Sequence, residues 1–349
     1  MGATHLIADR VRGLGRLPRG NRSPRQPQTP ADRRAELVLG ALAAAVLLLI
    51  AGMVVFVIQK AWPSFSDNGL TWFGAKGEVD AQMTEIFNSP ADPDNYVYSI
   101  GAWPLVYSTF LVTGLAVICA TGFSLLTAMF MVEFAPGWLQ RRLEPVIRLL
   151  AAVPSVIYGL IGILVIVPFI GNHIVSNDMK ESVRFVIQLD GTSLMVATLI
   201  LTVMITPIMV AIIVDALRAV PKGWSDGALA LGVNRWRALW TVSVRAARPA
   251  IVAAGVLASA RALGEAIMLS MVSGSVGFAP NPLDGLTFFF EPSRPLAATI
   301  VDNADGLSVQ PFGETLYAFA AVLLVSAGGL SFAGWFIRRR LRRFSLSPT

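Results

Sequence analysis

Arg261 and Glu265 stand four residues apart in ARALGEAIMLSMVSG, an otherwise apolar run. On a continuous helix that spacing puts both side chains on one face, within reach of each other. A lone ion in hydrocarbon is costly, so the two should face each other or a bundle interior. Three readings follow: a neutralised pair that fastens helices, a proton relay, or an anion site. Arginine offers a planar fork of donors that can grip a tetrahedral oxyanion through two hydrogen bonds. Glu265 would then hold Arg261 at rest and be displaced when an anion arrives. Ionisable residues inside a membrane default to function, so the anion site takes precedence. Covalent chemistry has little to build on. His5 and His173 lie outside the apolar runs and Cys119 is the only cysteine, so no catalytic residue and no metal ligand set is assigned.

The elements that must position this pair are membrane spans. Charges are absent between Glu36 and Lys60, Asp94 and Glu133, Arg148 and Asp178, Asp190 and Asp215, and Glu314 and Arg338. Each gap exceeds the roughly 20 residues a helix needs to cross the hydrocarbon layer. Ala250–Gly274, carrying the pair, makes a sixth, so the fold class expected is all-α and polytopic. Sorting the 28 basic residues by loop puts 22 of them on one face and five on the other. That split is the positive-inside pattern, with both termini cytoplasmic, and it accounts for the basicity without nucleic acid.

The expected organisation is a disordered basic tail over 1–35, with arginines suited to lipid headgroups, a first span over 36–59 and an outer loop over 60–100. A core of five spans follows over 101–337, interrupted by a cytoplasmic loop over 217–249, and a basic tail closes the chain over 338–349. Aromatics of the outer loop are expected at headgroup level. In the third span, Pro154, Gly159, Gly162 and Pro168 suit kinks and close helix packing. Ser155 and Tyr158 on the same span are candidates to line a path.

The cytoplasmic loop reads as helix, turn, helix. Ser225 and Asp226 favour a helix start, Gly232 suits the left-handed position that ends one, and Asn234 can cap the next. Trp236, Leu239, Trp240 and Ser243 then share a face, and Pro249 marks where the fifth span begins. The short helix Ser225–Leu231 needs a partner surface to be stable. It could lie on lipid, but its small and apolar composition (Ala228, Leu229, Ala230, Leu231) suits insertion into a protein groove.

GALALGVNRWRALWTVSVRAARPAI resembles the cytoplasmic EAA loop of ABC importer permeases. Asp226-Gly227-Ala228 occupies the E-A-A position and Gly232 the glycine; Val242, Val244 and Arg245 stand where Ile, Leu and Pro are usual. Asp keeps the carboxylate, whereas Gly for Ala weakens the helix by roughly 1 kcal/mol. The resemblance implies a type I ABC importer permease fold in which Ser225–Gly232 docks on a separate ATPase. No GxxxxGK[ST] run occurs, so ATP and Mg would be bound by that partner and this chain would carry no cofactor.

RALGEAIMLSMVSG, with AVPSVIYGLIGILVIVPFI, LLTAMFMVEFAP, ITPIMVAIIVDALRAVP and FFFEPSRPLAATI, resembles the phosphate permeases of the PstC type from about Trp103 onward. That likeness implies a bacterial inner-membrane protein in which Arg261 and Glu265 take part in phosphate passage. It also implies a second permease of the PstA type, two ATPase subunits and an external phosphate-binding protein. Importers of sulfate or molybdate, and an ATP-independent anion transporter, are the competing readings.

Overall fold

The computed structural model describes residues 30–75, 77–90, 92–182, 188–277 and 279–342. The tail expected over 1–35 lies outside the described residues up to position 29, as does the C-terminal tail from position 343. The chain divides into two compact units, Met1–Val55 and Phe56–Thr349.

In the first unit the described residues are helical from Pro30 onward and open helix α1 (Pro30–Asn68). Its apolar side chains, Leu47 and Leu48 among them, are exposed, the surface a span gives to lipid.

In the second unit α1 runs past the expected end at Gln59 to Asn68, and the reason is one side chain. The Asn68 amide donates to the Ser64 and Tyr98 carbonyls, and its oxygen accepts from the Ile100 N–H at 3.0 Å. The outer segment 60–100 is therefore folded back rather than a plain loop. Trp72 is wholly buried instead of lying at headgroup level, while Trp62 is exposed. Helix α2 (Val79–Phe87) turns Val79, Met83 and Ile86 into a core shared with Phe312, Leu316 and Phe319. Burying a side chain of that size stabilises by about 1.5–3 kcal/mol.

The remaining helices are α3 (Trp103–Phe134), α4 (Gly137–Ala152), α5 (Ser155–His173), α6 (Asn177–Ser182), α7 (Leu194–Arg218), α8 (Lys222–Ala230), α9 (Arg235–Leu263), α10 (Ile267–Val272), α11 (Leu296–Asp302) and α12 (Phe312–Arg342). With α1, six of them (α1, α3, α5, α7, α9 and α12) are long and apolar enough to cross a membrane. Among the described residues there is no strand, only an isolated bridge between Gly274 and Ser293.

Helices α3 and α7 form the central pair. Ala116 and Ala120 of α3 are buried with Leu201, Ile205 and Met209 of α7, and the small residues let the backbones approach. Pro207 stays inside α7, and Ser124 of α3 donates to the neighbouring Thr206 carbonyl at 3.2 Å. Glycines in α5 serve packing. A Cβ on Gly159 would stand 3.1 Å from the Met268 Cα and 2.8 Å from the Met271 sulfur. Pro168 follows a π-helical turn, Gly162–Ile166, which absorbs its missing N–H.

The segment 275–311 folds back into the core through residues 291–299, all buried. The first N–H of α11, at Leu296, donates to Thr109 Oγ1 at 2.8 Å. Arg294, 9% exposed, donates to Asp80 of α2 and, at 3.4 Å, to Asp302 of α11. Asp80 also accepts from the Gly277 N–H. Removing one member of a buried ion cluster leaves the others uncompensated. Arg294→Gln is therefore expected to destabilise the chain by about 2 kcal/mol, below the value for a fully buried pair because Asp80 is partly solvated. A lowered thermal midpoint in detergent checks this.

Glu291 is buried and accepts from the Asn281 N–H at 2.9 Å. Burial first, and then the Asp284 carboxylate, raise its pKa above the ordinary value. Asp284 and Tyr107 are the titratable groups that face it. A carboxyl raised on folding stabilises the fold in acid, and that contribution is lost as pH climbs through the raised value. The thermal midpoint should fall from acid towards neutral pH, and Glu291→Gln should flatten that slope.

Candidate functional site

The fifth span does not run over Ala250–Gly274 as expected. Helix α9 begins at Arg235, carries Pro249 inside it, and stops at Leu263. Gly264 closes it, the Glu265 N–H donates to the Ala262 carbonyl at 3.2 Å, and α10 starts at Ile267. The Glu265 carboxylate accepts from the Met268 N–H at 3.3 Å and so caps α10. The break falls between Arg261 and Glu265 and corrects the picture of one shared helical face. Arg261 is exposed and Glu265 is buried at 8%, and among the described residues no ion pair joins them. Glycine and a capping carboxylate, placed between two apolar stretches, are the physical cause.

What the fold does bring together is Arg261 with α5. The guanidinium lies close enough to Tyr158 for its charge to act on the phenol. The Tyr158 hydroxyl donates to the Leu150 carbonyl of α4 at 3.0 Å. Ser155, half-buried, opens α5 one turn earlier, after the extended Pro154. Met268, the cap partner of Glu265, packs against Gly159 of α5 and so sets α10 beside that helix. The four residues picked from the sequence thus lie on adjoining elements: a guanidinium, two hydroxyls and a buried carboxylate. The four hold no nucleophile–base pair. Among the described residues no group of three or more His, Cys, Asp or Glu side chains is placed to hold a metal ion.

Helix α8 lies in the connection between α7 and α9. It starts three residues before the expected Ser225, because Pro221 at φ −58° is preset to cap it. Ser225 is interior and donates to the Lys222 carbonyl. The end is as expected. Gly232, at φ +82°, donates to the Leu229 carbonyl, and the Val233 N–H to that of Ala228. These two bonds make a Schellman turn. Asn234 Oδ1 accepts from the Arg237 N–H at 2.8 Å and caps the next helix. Leu239 and Ser243 are buried, whereas Trp236 and Trp240 pack edge to face and remain partly exposed. No residue of α8 is buried, and Asp226, Gly227, Ala230, Leu231 and Gly232 are exposed, with Ser225, Ala228 and Leu229 half-buried. A nine-residue helix with no buried face is marginal alone and is built to be covered.

Sequence reasoning missed one polar link near this loop. Glu144 of α4 accepts from Arg148 at 2.7 Å and from Arg218 of α7 at 3.2 Å. Arg218 above all holds its carboxyl below the ordinary carboxylate range. The Glu144–Arg148 spacing of four was visible; the partner 74 residues away was not.

Residues 120–342 match the family model described as binding-protein-dependent transport system inner membrane component. The chain is 34% identical to the probable ABC transporter permease protein YqgH of Bacillus subtilis, over 75% of this chain and 78% of that protein. It is 32% identical to the phosphate transport system permease protein PstC 1 of Mycobacterium tuberculosis, over 82% and 86%. With PstC of Pasteurella multocida the identity is 29%, over 80% and 85%. In structure it is similar to a bacterial ABC transporter involved in import of the acidic polysaccharide alginate (TM-score 0.54, 12% identity, 88% of this chain and 96% of that one). The inward-facing MetNI methionine ABC transporter gives a TM-score of 0.50 at 16% identity, over 68% and 96%. These likenesses place the fold among the type I ABC importer permeases, multi-pass and all-α.

Proposed function

This chain belongs to the binding-protein-dependent transport system inner membrane components, and from that premise we propose that it is the permease subunit of an ATP-driven importer of inorganic phosphate. The observation that carries the substrate is its likeness, over about four-fifths of its length, to permeases named for phosphate transport. The Arg261 break supports it, because a guanidinium without a carboxylate partner keeps its fork of donors open to an anion. Ser155 adds a hydroxyl, Tyr158, whose proton goes to the Leu150 carbonyl, lines the path with its ring, and Glu265 serves by capping α10, which keeps α9 short and Arg261 at its end. The chain is a transport subunit and not an enzyme: phosphate passes without covalent chemistry.

The unburied α8, with Ser225 to Gly232, is the element that docks on a separate ATPase, and ATP and Mg belong to that partner. Closure of the ATPases moves α8 and, through α7 and α9, turns the spans between inward- and outward-facing states. The full assembly in this reading has a second permease of the PstA type, two ATPase subunits and an external phosphate-binding protein. Both termini lie on the cytoplasmic side, where the basic residues concentrate.

Uptake of radiolabelled phosphate into cells lacking other phosphate importers tests the substrate. Uptake should be saturable and blocked by excess phosphate, but not by sulfate or molybdate. Block by either of those anions would reassign the substrate. Uptake that persists after loss of the ATPase partner would make the chain an ATP-independent transporter.

A further inference from the structure

We propose that Glu144 is a positioning residue that carries movement of the ATPase-docking loop to the anion site. The inference rests on the functional reading above and adds the route by which its two ends communicate.

The route is built from contacts at both ends of one short helix. Near its middle, α4 is tied by Glu144 to Arg218 at 3.2 Å. Arg218 is the last residue of α7, three positions before Pro221, which caps the docking helix α8. At its far end, α4 is tied by the Leu150 carbonyl to the Tyr158 hydroxyl at 3.0 Å. Tyr158 in turn lies within electrostatic reach of Arg261. Between the ties α4 stays helical through Pro145, whose missing N–H falls on the turn before the tie and not between the two ties, and its own Arg148 braces the Glu144 carboxylate at 2.7 Å. The hydrogen-bonded stretch from Glu144 to Leu150 can pass displacement along its axis.

Packing between α4 and α7 is loose beside this tie. A cavity of about 100 Å³ lies there, lined among others by Met131, Glu144, Ile147, Val214 and Asp215. No residue of α4 is fully buried. Apolar contact alone therefore leaves α4 room to lag when the root of the docking loop moves. The charged tie removes that freedom, and a partly exposed pair suits a task in which stability gained is small.

The test measures phosphate imported per ATP hydrolysed by the complete complex in proteoliposomes, with binding protein outside. Glu144→Gln is expected to lower that ratio about fivefold, within the span that changes along a coupling route produce. Arg218→Gln should do the same. The double variant should be no worse than the weaker single one, because both remove one interaction. A merely structural role would lower uptake and hydrolysis together and leave the ratio unchanged. That result, or losses that multiply in the double variant, would overturn the proposal. A wild-type complex with no ATP-dependent phosphate uptake would instead sink the functional reading, and this proposal with it.

Discussion

Arg261→Gln is expected to cut phosphate uptake about 100-fold at matched membrane levels, with Arg261→Lys losing less. Losing hydrogen bonds to a charged group costs about 1.5–3 kcal/mol, and each 1.4 kcal/mol is tenfold. Lysine keeps the charge but not the two-pronged geometry, so it should retain part of the activity. The amount of protein should hold steady. Arg261 is exposed on this chain and makes no ion pair with Glu265, so its removal strands no buried countercharge. Initial uptake rates of labelled phosphate, normalised to immunoblotted membrane protein, give the answer. Unchanged uptake in Arg261→Gln would make the residue structural and leave the substrate resting on family likeness alone.

Gly232→Val is expected to abolish ATP-driven uptake and to release the ATPase from the chain on purification. Gly232 sits at φ +82°, where a left-handed L residue costs roughly 1–2 kcal/mol and a β-branched one more. A Cβ there would meet nothing within 4 Å, so the penalty is conformational and not a clash. The turn would shift to relieve it, breaking the bonds to the Leu229 and Ala228 carbonyls and re-aiming α8. Gly232→Asn separates the causes, since asparagine tolerates this conformation. It should keep most of the coupling. Equal loss in both variants would mean that the glycine is needed for close contact with the partner and not for its backbone angle.

The spans were legible because lipid demands long uncharged stretches, a constraint that each segment meets by itself. The loop between α7 and α9 was legible at its C-terminal end for the same kind of reason. Gly232 and Asn234 act on their own neighbours, and no distant contact competes with them. Its start was misjudged because Ser225 and Pro221 are both good openers, and the proline's fixed angle prevailed. The break at Gly264 was hidden by hydropathy, which is indifferent to whether an apolar run is one helix or two. Reading Glu265 as a partner for Arg261 followed from that single-helix assumption. The folded outer segments were beyond local reading altogether. Asp80 and Arg294 meet across 214 residues of chain, and Trp72 is buried by packing against Phe319.

Accumulation of labelled phosphate in proteoliposomes holding the purified complex tests the central claim most directly. The account predicts accumulation against a gradient only with the phosphate-binding protein outside and hydrolysable ATP inside, and none when either is omitted. Phosphate that equilibrates across the membrane without ATP, or ATP hydrolysis that never moves phosphate, would contradict it.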